Sequence, residues 1–384
     1  MNKTLEFFKK SIPLKLDRSF ITASTGFLRN LFWRRIFNKT NGAYPLFVTW
    51  LVTFDCNVYC RFCSTHSLKK QFPEALSEAK ALEVAEEIGR SGVWTVAFTG
   101  GEVLMWPHLF GVIRCLKSYG KRVYIVTNGL LLESVASQIV EAKVDGVVIS
   151  IDAVAPGEHD YLRKSEGLFE KLVAGIKRVK ELRGPEGPVL KSMTVVSKRN
   201  LAGLNEILAQ VEALVDVSSV QPITNSYDNS PHNQSDKAMD PYMFGPEQEA
   251  EVREQMDRFI QHNPGFDNRY VRAFADYWFN KDTLVEAYPC WSPFLRLQIF
   301  PDGGVYHCTA NDRFGKVGDL TRMSLLECWN SQEMLAQREC IRSGQNKCIC
   351  WTQDSSFNAF LASLPGLNSL PVLGALPPEP PDRP

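Results

Sequence analysis

Three cysteines fall within eight residues, at Cys56, Cys60 and Cys63. Thiolates are soft ligands, the kind that iron–sulfur clusters and zinc select. A four-iron cubane held by three cysteines keeps one iron open. An open iron can bind a small molecule and pass it an electron. Zinc usually draws on paired cysteines with a fourth ligand close by, and His66 stands three residues past Cys63. On this stretch alone both readings stay open. A second group of thiols lies near the other end of the chain, at Cys290, Cys308, Cys328, Cys340, Cys348 and Cys350.

The elements that must position these thiols can be read from the spacing of apolar residues. The cysteine stretch follows an apolar run over 46–54. Further runs of strand length cover 93–98, 122–126, 146–152, 189–196 and 217–223. Between them lie helical patterns. Ser77 caps one whose Leu76, Ala79, Leu82, Ala85 and Ile88 recur every three residues, ending at Ser91-Gly92. Others cover 108–118, 133–142, 168–183 and 204–214. Strands alternating with amphipathic helices predict right-handed β-α-β units and a parallel sheet. Six units are too few for a closed eight-stranded barrel, so the expected fold is a partial (β/α)6 TIM-like barrel spanning 46–225. Chemistry in such barrels sits at strand C-termini. Gly100-Gly101-Glu102, Thr127-Asn128-Gly129 and Ser150-Ile151-Asp152 all stand there.

Residues 226–282 are expected to hold a polar loop, extending back to 224, and linking helices that begin near 246. Pro301-Asp302-Gly303-Gly304 signals a hairpin between the thiols of 283–352, and a helix is expected over 322–338. The tail, 353–384, is rich in proline and is expected to be disordered. Residues 1–45 carry nine Lys/Arg against two acids, with many aromatics. That suggests a helical extension, with peripheral membrane contact as a further option. Net charge is zero, which gives no nucleic-acid footprint. Ten cysteines without a secretory signal point to a cytoplasmic location.

The spacing C-x-x-x-C-x-aromatic-C at Cys56, Cys60, Phe62 and Cys63 resembles the signature of the radical S-adenosylmethionine (SAM) superfamily. The resemblance implies a 4Fe-4S cluster on the three cysteines, with SAM on the open iron. It implies SAM contacts from Gly100, Gly101 and Glu102, from Ser150 and Asp152, from Arg163 in a His159-Asp160-x-x-Arg163 stretch, and from Phe62 near adenine. A Cys290-x12-Gly303-x4-Cys308 hairpin followed by late cysteines resembles the SPASM/twitch appendage, a small α+β iron–sulfur unit. That implies a second, auxiliary 4Fe-4S cluster on Cys290, Cys308, Cys348 and Cys350, with Cys340 in reserve. Cys115 and Cys328 read as core residues.

The expected activity is reductive cleavage of SAM to a 5′-deoxyadenosyl radical that abstracts hydrogen from a substrate. Peptides or proteins (maturase type) are the expected substrates, with small natural-product or sugar intermediates beside them. A donor such as flavodoxin or ferredoxin is expected to supply the electron. The alternatives are a zinc- or cluster-stabilised binding protein without turnover, and an enzyme acting on a membrane-linked substrate. No catalytic acid or base is assigned. Cys115, Cys328 or Cys340 could serve as a hydrogen donor, and Arg296, Tyr306 and His307 could face substrate.

Overall fold

The computed structural model describes residues 44–63, 65–72, 75–224, 241–287, 290, 292–308, 315–343 and 351. Seven parallel strands come first: β1 (Phe47–Thr53), β2 (Thr95–Gly100), β3 (Arg122–Thr127), β4 (Gly146–Ser150), β5 (Val189–Val196), β6 (Val220–Pro222) and β7 (Arg296–Ile299). The short strands β8 (Gly304–Tyr306) and β9 (Gly318–Asp319) follow, antiparallel. The spatial order is β6-β5-β4-β3-β2-β1-β7-β8-β9, an open sheet with β6 and β9 at its edges. This is the expected partial barrel.

Alternation along the strands decides which face is dry. Val48, Trp50 and Val52 of β1 join Phe98, Ile125 and Ile299 in one core beneath the helices. Burying one such side chain is worth about 1.5–3 kcal/mol. The opposite face is more open. Thr49, Thr99, Val126, Ser150 and Val195 remain half-buried there.

Several elements differ from expectation. Ser77 does cap the helix Glu78–Arg90, accepting the Lys80 N–H at 3.4 Å. Its buried stripe is Ala81, Val84, Ala85 and Ile88, however, so Ala79 and Leu82 are not on it. The helix expected over 322–338 is two, Leu325–Trp329 and Gln332–Arg342. Ser331 accepts the Met334 N–H at 3.2 Å and starts the second one afresh. A helix not anticipated, Pro156–Arg163, begins with proline at its start and stops where Lys164 turns left-handed at φ 52°.

The C-terminal hairpin is not a detached unit. β7 pairs with β1 from Phe47↔Arg296 to Trp50↔Ile299, so the hairpin continues the barrel sheet. A second core joins Leu204 and Leu208 to the helices Glu249–His262 and Phe274–Phe279. The extension 1–43, the stretch 225–240, Cys348, Cys350 and the proline-rich tail lie outside the described residues.

The end of β2 is built for close backbone approach. Gly100 has φ +131°, and a Cβ there would overlap the Thr53 carbonyl; one on Gly101 would overlap the Asp55 carbonyl. The absence of both side chains lets Gly101 N–H and Glu102 N–H donate to Thr53 O and Asp55 O, each at 2.7 Å. Gly101→Ala should therefore lower unfolding free energy by about 2–4 kcal/mol in urea titrations. Gly111→Ala, in a helix where an added Cβ meets nothing within 4 Å among the described residues outside that helix's own backbone, should be neutral or stabilising by about 0.5–1 kcal/mol.

Candidate metal centre

The cysteine loop leaves β1 and is pinned by three neighbours. β2 holds it through the Thr53 and Asp55 carbonyls, as above. From the end of β3, Asn128 Nδ2 donates to Asn57 Oδ1 at 2.8 Å. From the helix after β4, Leu162 O accepts the Arg61 N–H at 3.0 Å. Within the loop, Cys63 N–H donates to Cys60 O at 3.2 Å. His66 belongs to this scaffold. Its Nε2 lies 3.1 Å from Val58 O and its ring stacks on Tyr59 at 4.0 Å. It is engaged as a brace rather than as a fourth ligand.

Two buried carboxylates organise the rim. Glu102 is fully buried and accepts from Leu104 N–H at 3.1 Å, Thr127 Oγ1 at 2.7 Å and Asn128 N–H at 2.8 Å. Burial raises its pKa, and these donors offset some of the rise. Asp152, at the end of β4, receives Arg163 Nε at 2.8 Å and Nη2 at 2.5 Å on one oxygen. Its other oxygen accepts the Val195 N–H at 2.9 Å. Arg163 Nη1 then reaches 3.6 Å from Cys60 Sγ.

The sequence assigned Glu102, Asp152 and Arg163 to SAM. In the structure each of them also braces the loop or its supports. Ser150 is half-buried on the inner face, and Phe62 packs edge-on against Tyr242 at 5.9 Å. His159 and Asp160 also separate. Asp160 accepts from Gly167 N–H at 2.6 Å and Phe169 N–H at 2.9 Å, while the His159 ring is buried and receives the Asp152 N–H at 3.4 Å.

The donor set fits a thiolate-held cluster. Each sulfur has an N–H directed at it: Asn128 Nδ2 at 3.8 Å from Cys56, Arg163 Nη1 at 3.6 Å from Cys60, and Thr65 N at 3.5 Å from Cys63. Such donors favour ionised sulfur. Burial pushes the free Cys56 thiol up to about 11, so a bound cation must displace its proton.

Residues 50–211 match the model of the Radical SAM superfamily, and 290–352 match SPASM, an iron–sulfur cluster-binding domain. The chain thus carries a radical SAM domain followed by a SPASM domain. Its relatives include the AdoMet-dependent heme synthase of Oleidesulfovibrio alaskensis, 31% identical over 168 residues, covering 44% of this chain and 42% of that protein. Another is the mycofactocin maturase MftC of Mycobacterium tuberculosis, 28% identical over 163 residues, covering 42% of this chain and 40% of the relative. These matches thus span about two-fifths of each relative's length. The fold is shared with Streptococcus suis SuiB bound to precursor peptide SuiA, at TM-score 0.59, 14% identity, 84% of this chain and 72% of that one. It is shared too with anSMEcpe with bound AdoMet, at TM-score 0.56, 17% identity, 79% and 84%. A 4Fe-4S cluster and SAM belong to the radical SAM domain, and auxiliary iron–sulfur to the SPASM domain.

The second cysteine group, in the SPASM match, is only partly described. Cys290 is half-buried and Cys308 buried. Ser292 Oγ donates to His307 O at 3.0 Å and draws the two thiol-bearing segments together. Cys328 is packing: it is fully buried, and its sulfur occupies the space a Cβ on Gly318 would need. Cys115 is partly buried against the main core. Sequence reasoning missed Trp351, the residue after Cys350. Its Nε1 donates to Tyr270 O at 2.7 Å, and the two rings stack at 5.5 Å. A lone tryptophan beside the last cysteine was the signal available.

Substitution probes the buried Glu102 and His159 directly. Glu102→Gln replaces an acceptor-only group by an amide in a site of three donors. Its cost should be about 1–3 kcal/mol by urea denaturation, with less iron retained after desalting. Burial, and secondarily the Arg163 charge, push the His159 ring down to about 4. The unfolded ring protonates near 6.5. Stability from this group is therefore complete above about pH 6.5 and is lost as pH falls toward 4. His159→Gln should flatten the decline of unfolding free energy across that window by about one proton.

Proposed function

We propose that this chain reductively cleaves SAM and uses the resulting radical to modify a peptide or protein. The observation that carries this reading is the set of N–H donors aimed at Cys56, Cys60 and Cys63 at the C-terminal mouth of an open barrel. Cys56, Cys60 and Cys63 would hold the cluster, which would supply the electron for splitting SAM into methionine and a 5′-deoxyadenosyl radical that takes a hydrogen atom from substrate.

The chain's own residues do the positioning. Asp55, Asn57 and Arg61 fix the loop through Glu102 just after β2, Asn128 just after β3 and Leu162 of the Pro156–Arg163 helix. Gly100 and Gly101 let the end of β2 close on the Thr53 and Asp55 carbonyls at the root of the cysteine loop. Ser150, half-buried on the inner face, offers a hydroxyl to the nucleoside, and Phe62 with Tyr242 forms an apolar wall that keeps water from the reacting atoms. Cys290, Cys308, Cys348 and Cys350 would hold the auxiliary cluster. A reduced flavodoxin or ferredoxin delivers the electron.

The peptide reading draws support from the likeness in fold to SuiB bound to SuiA and from the MftC relative. The heme-synthase relative supports a second reading, a small-molecule substrate in the same opening. Anaerobic reconstitution tests the shared chemistry. We expect about eight irons per chain, two cubanes, and 5′-deoxyadenosine on adding SAM and dithionite. Cys60→Ala should abolish the deoxyadenosine. Bound zinc with intact SAM would replace this reading by a metal-stabilised binding protein.

A further inference from the structure

Arg163 and Asn128 are both held by the scaffold, and each keeps an N–H for a cysteine sulfur. A guanidinium carries five N–H groups. Arg163 gives Nε and Nη2 to Asp152, which leaves Nη1 directed at Cys60 Sγ, 3.6 Å away. The orientation of the Asn128 amide is set by its oxygen. Oδ1 accepts the Leu130 N–H at 2.9 Å, so Nδ2 must face the loop. One of its hydrogens serves Asn57 Oδ1 at 2.8 Å and the other points to Cys56 Sγ at 3.8 Å. Arg163 and Asn128 are both buried. Cys63, by contrast, is exposed, and a backbone N–H is its directed donor.

We infer that Arg163 and Asn128 set the redox preference of the first cluster by hydrogen bonding to the Cys60 and Cys56 thiolates, Arg163 more strongly. Adding one electron adds one negative charge beside these sulfurs. A fixed cation and an oriented N–H dipole favour that state, and partial burial leaves them poorly screened. Asp152 offsets the cation incompletely, since Nη1 remains free of it. One electron enters from an external reductant, Arg163 keeps its proton, and no other group changes ionisation. This rests on the radical SAM reading of the three cysteines. It gives Arg163 a task at the thiolate in place of the SAM carboxylate expected from its motif.

The test is a mediated redox titration of the reconstituted full chain, followed by electron paramagnetic resonance without SAM. The signal that changes when SAM is added identifies the first cluster. Arg163→Gln should move its potential negative by at least tenfold in the reduction equilibrium, about 59 mV for one electron. Asn128→Ala should move it less, in the same direction. Arg163→Lys, which keeps the charge, should stay closer to the wild type than Arg163→Gln does. An unchanged potential in Arg163→Gln, with weakened SAM binding by calorimetry, overturns the inference and returns the guanidinium to the SAM carboxylate. Should Arg163→Gln fail to take up iron, Asn128→Ala decides alone: a negative shift supports the inference and no shift overturns it. A wild-type chain with no SAM-responsive signal takes down the radical SAM reading itself, and the inference with it.

Discussion

A guanidinium buried beside thiols has to be answered by negative charge, and that constraint shapes the first site. Burial alone would lower the pKa of Arg163; Asp152 and Cys60 outweigh it and raise it. Leaving such a charge unpaired costs about 3–5 kcal/mol, so Asp152 is bound to this place as firmly as the arginine is. Asp152 in turn accepts the Val195 N–H and, through its carbonyl, Asn200 Nδ2 at 3.0 Å. One ion pair thereby joins the cysteine loop, the end of β4, the start of the β5 exit loop and the helix Pro156–Arg163.

Glu102 has the corresponding role at the end of β2. It ties that strand to the Thr127-Asn128-Gly129 turn after β3, and Asn128 passes the restraint to the loop. Buried carboxylates are tolerated only when their lone pairs are used, and here both are surrounded by donors. The glycines before Glu102 complete the arrangement, since any side chain would push β2 away from the loop backbone. The cysteines are flexible in type and spacing only on paper. In the fold their positions follow from two carboxylates and a backbone contact.

Much of this was legible in the sequence, and the limits have physical causes. The strand and helix order followed from apolar periodicity, and β5 appears at the expected residues, 189–196. The helix Pro156–Arg163 was hidden because it is eight residues long and its residues read first as a motif. Ser331 could have revealed the break in the 322–338 helix, since a serine cap is a local signal. The partners of Glu102 and Arg163 could not be read locally. Thr127 is 25 residues from Glu102, and Cys60 is 103 from Arg163. Side chains that satisfy one another over such separations leave no periodicity. For the same reason motif likeness could point them to a ligand but not to Thr127, Asn128, Asp152 and Cys60, their partners in the fold.

The pairing of β7 with β1 was the least legible feature, and it relates the two cysteine groups. Tyr306 pairs with Gln298, and β8 runs antiparallel, so Cys308 falls level with Arg296. Arg296 pairs with Phe47, the first residue of β1, whereas Cys56 follows its last. The two sites therefore hang from opposite ends of one seven-residue strand, about 20 Å of chain apart. Between them lies Gln298, which pairs with Thr49, is 1% exposed and has an amide oxygen without a partner among the described residues. An unmet buried acceptor costs about 1–3 kcal/mol. That cost falls on the inner face of the sheet, level with Thr49 of β1.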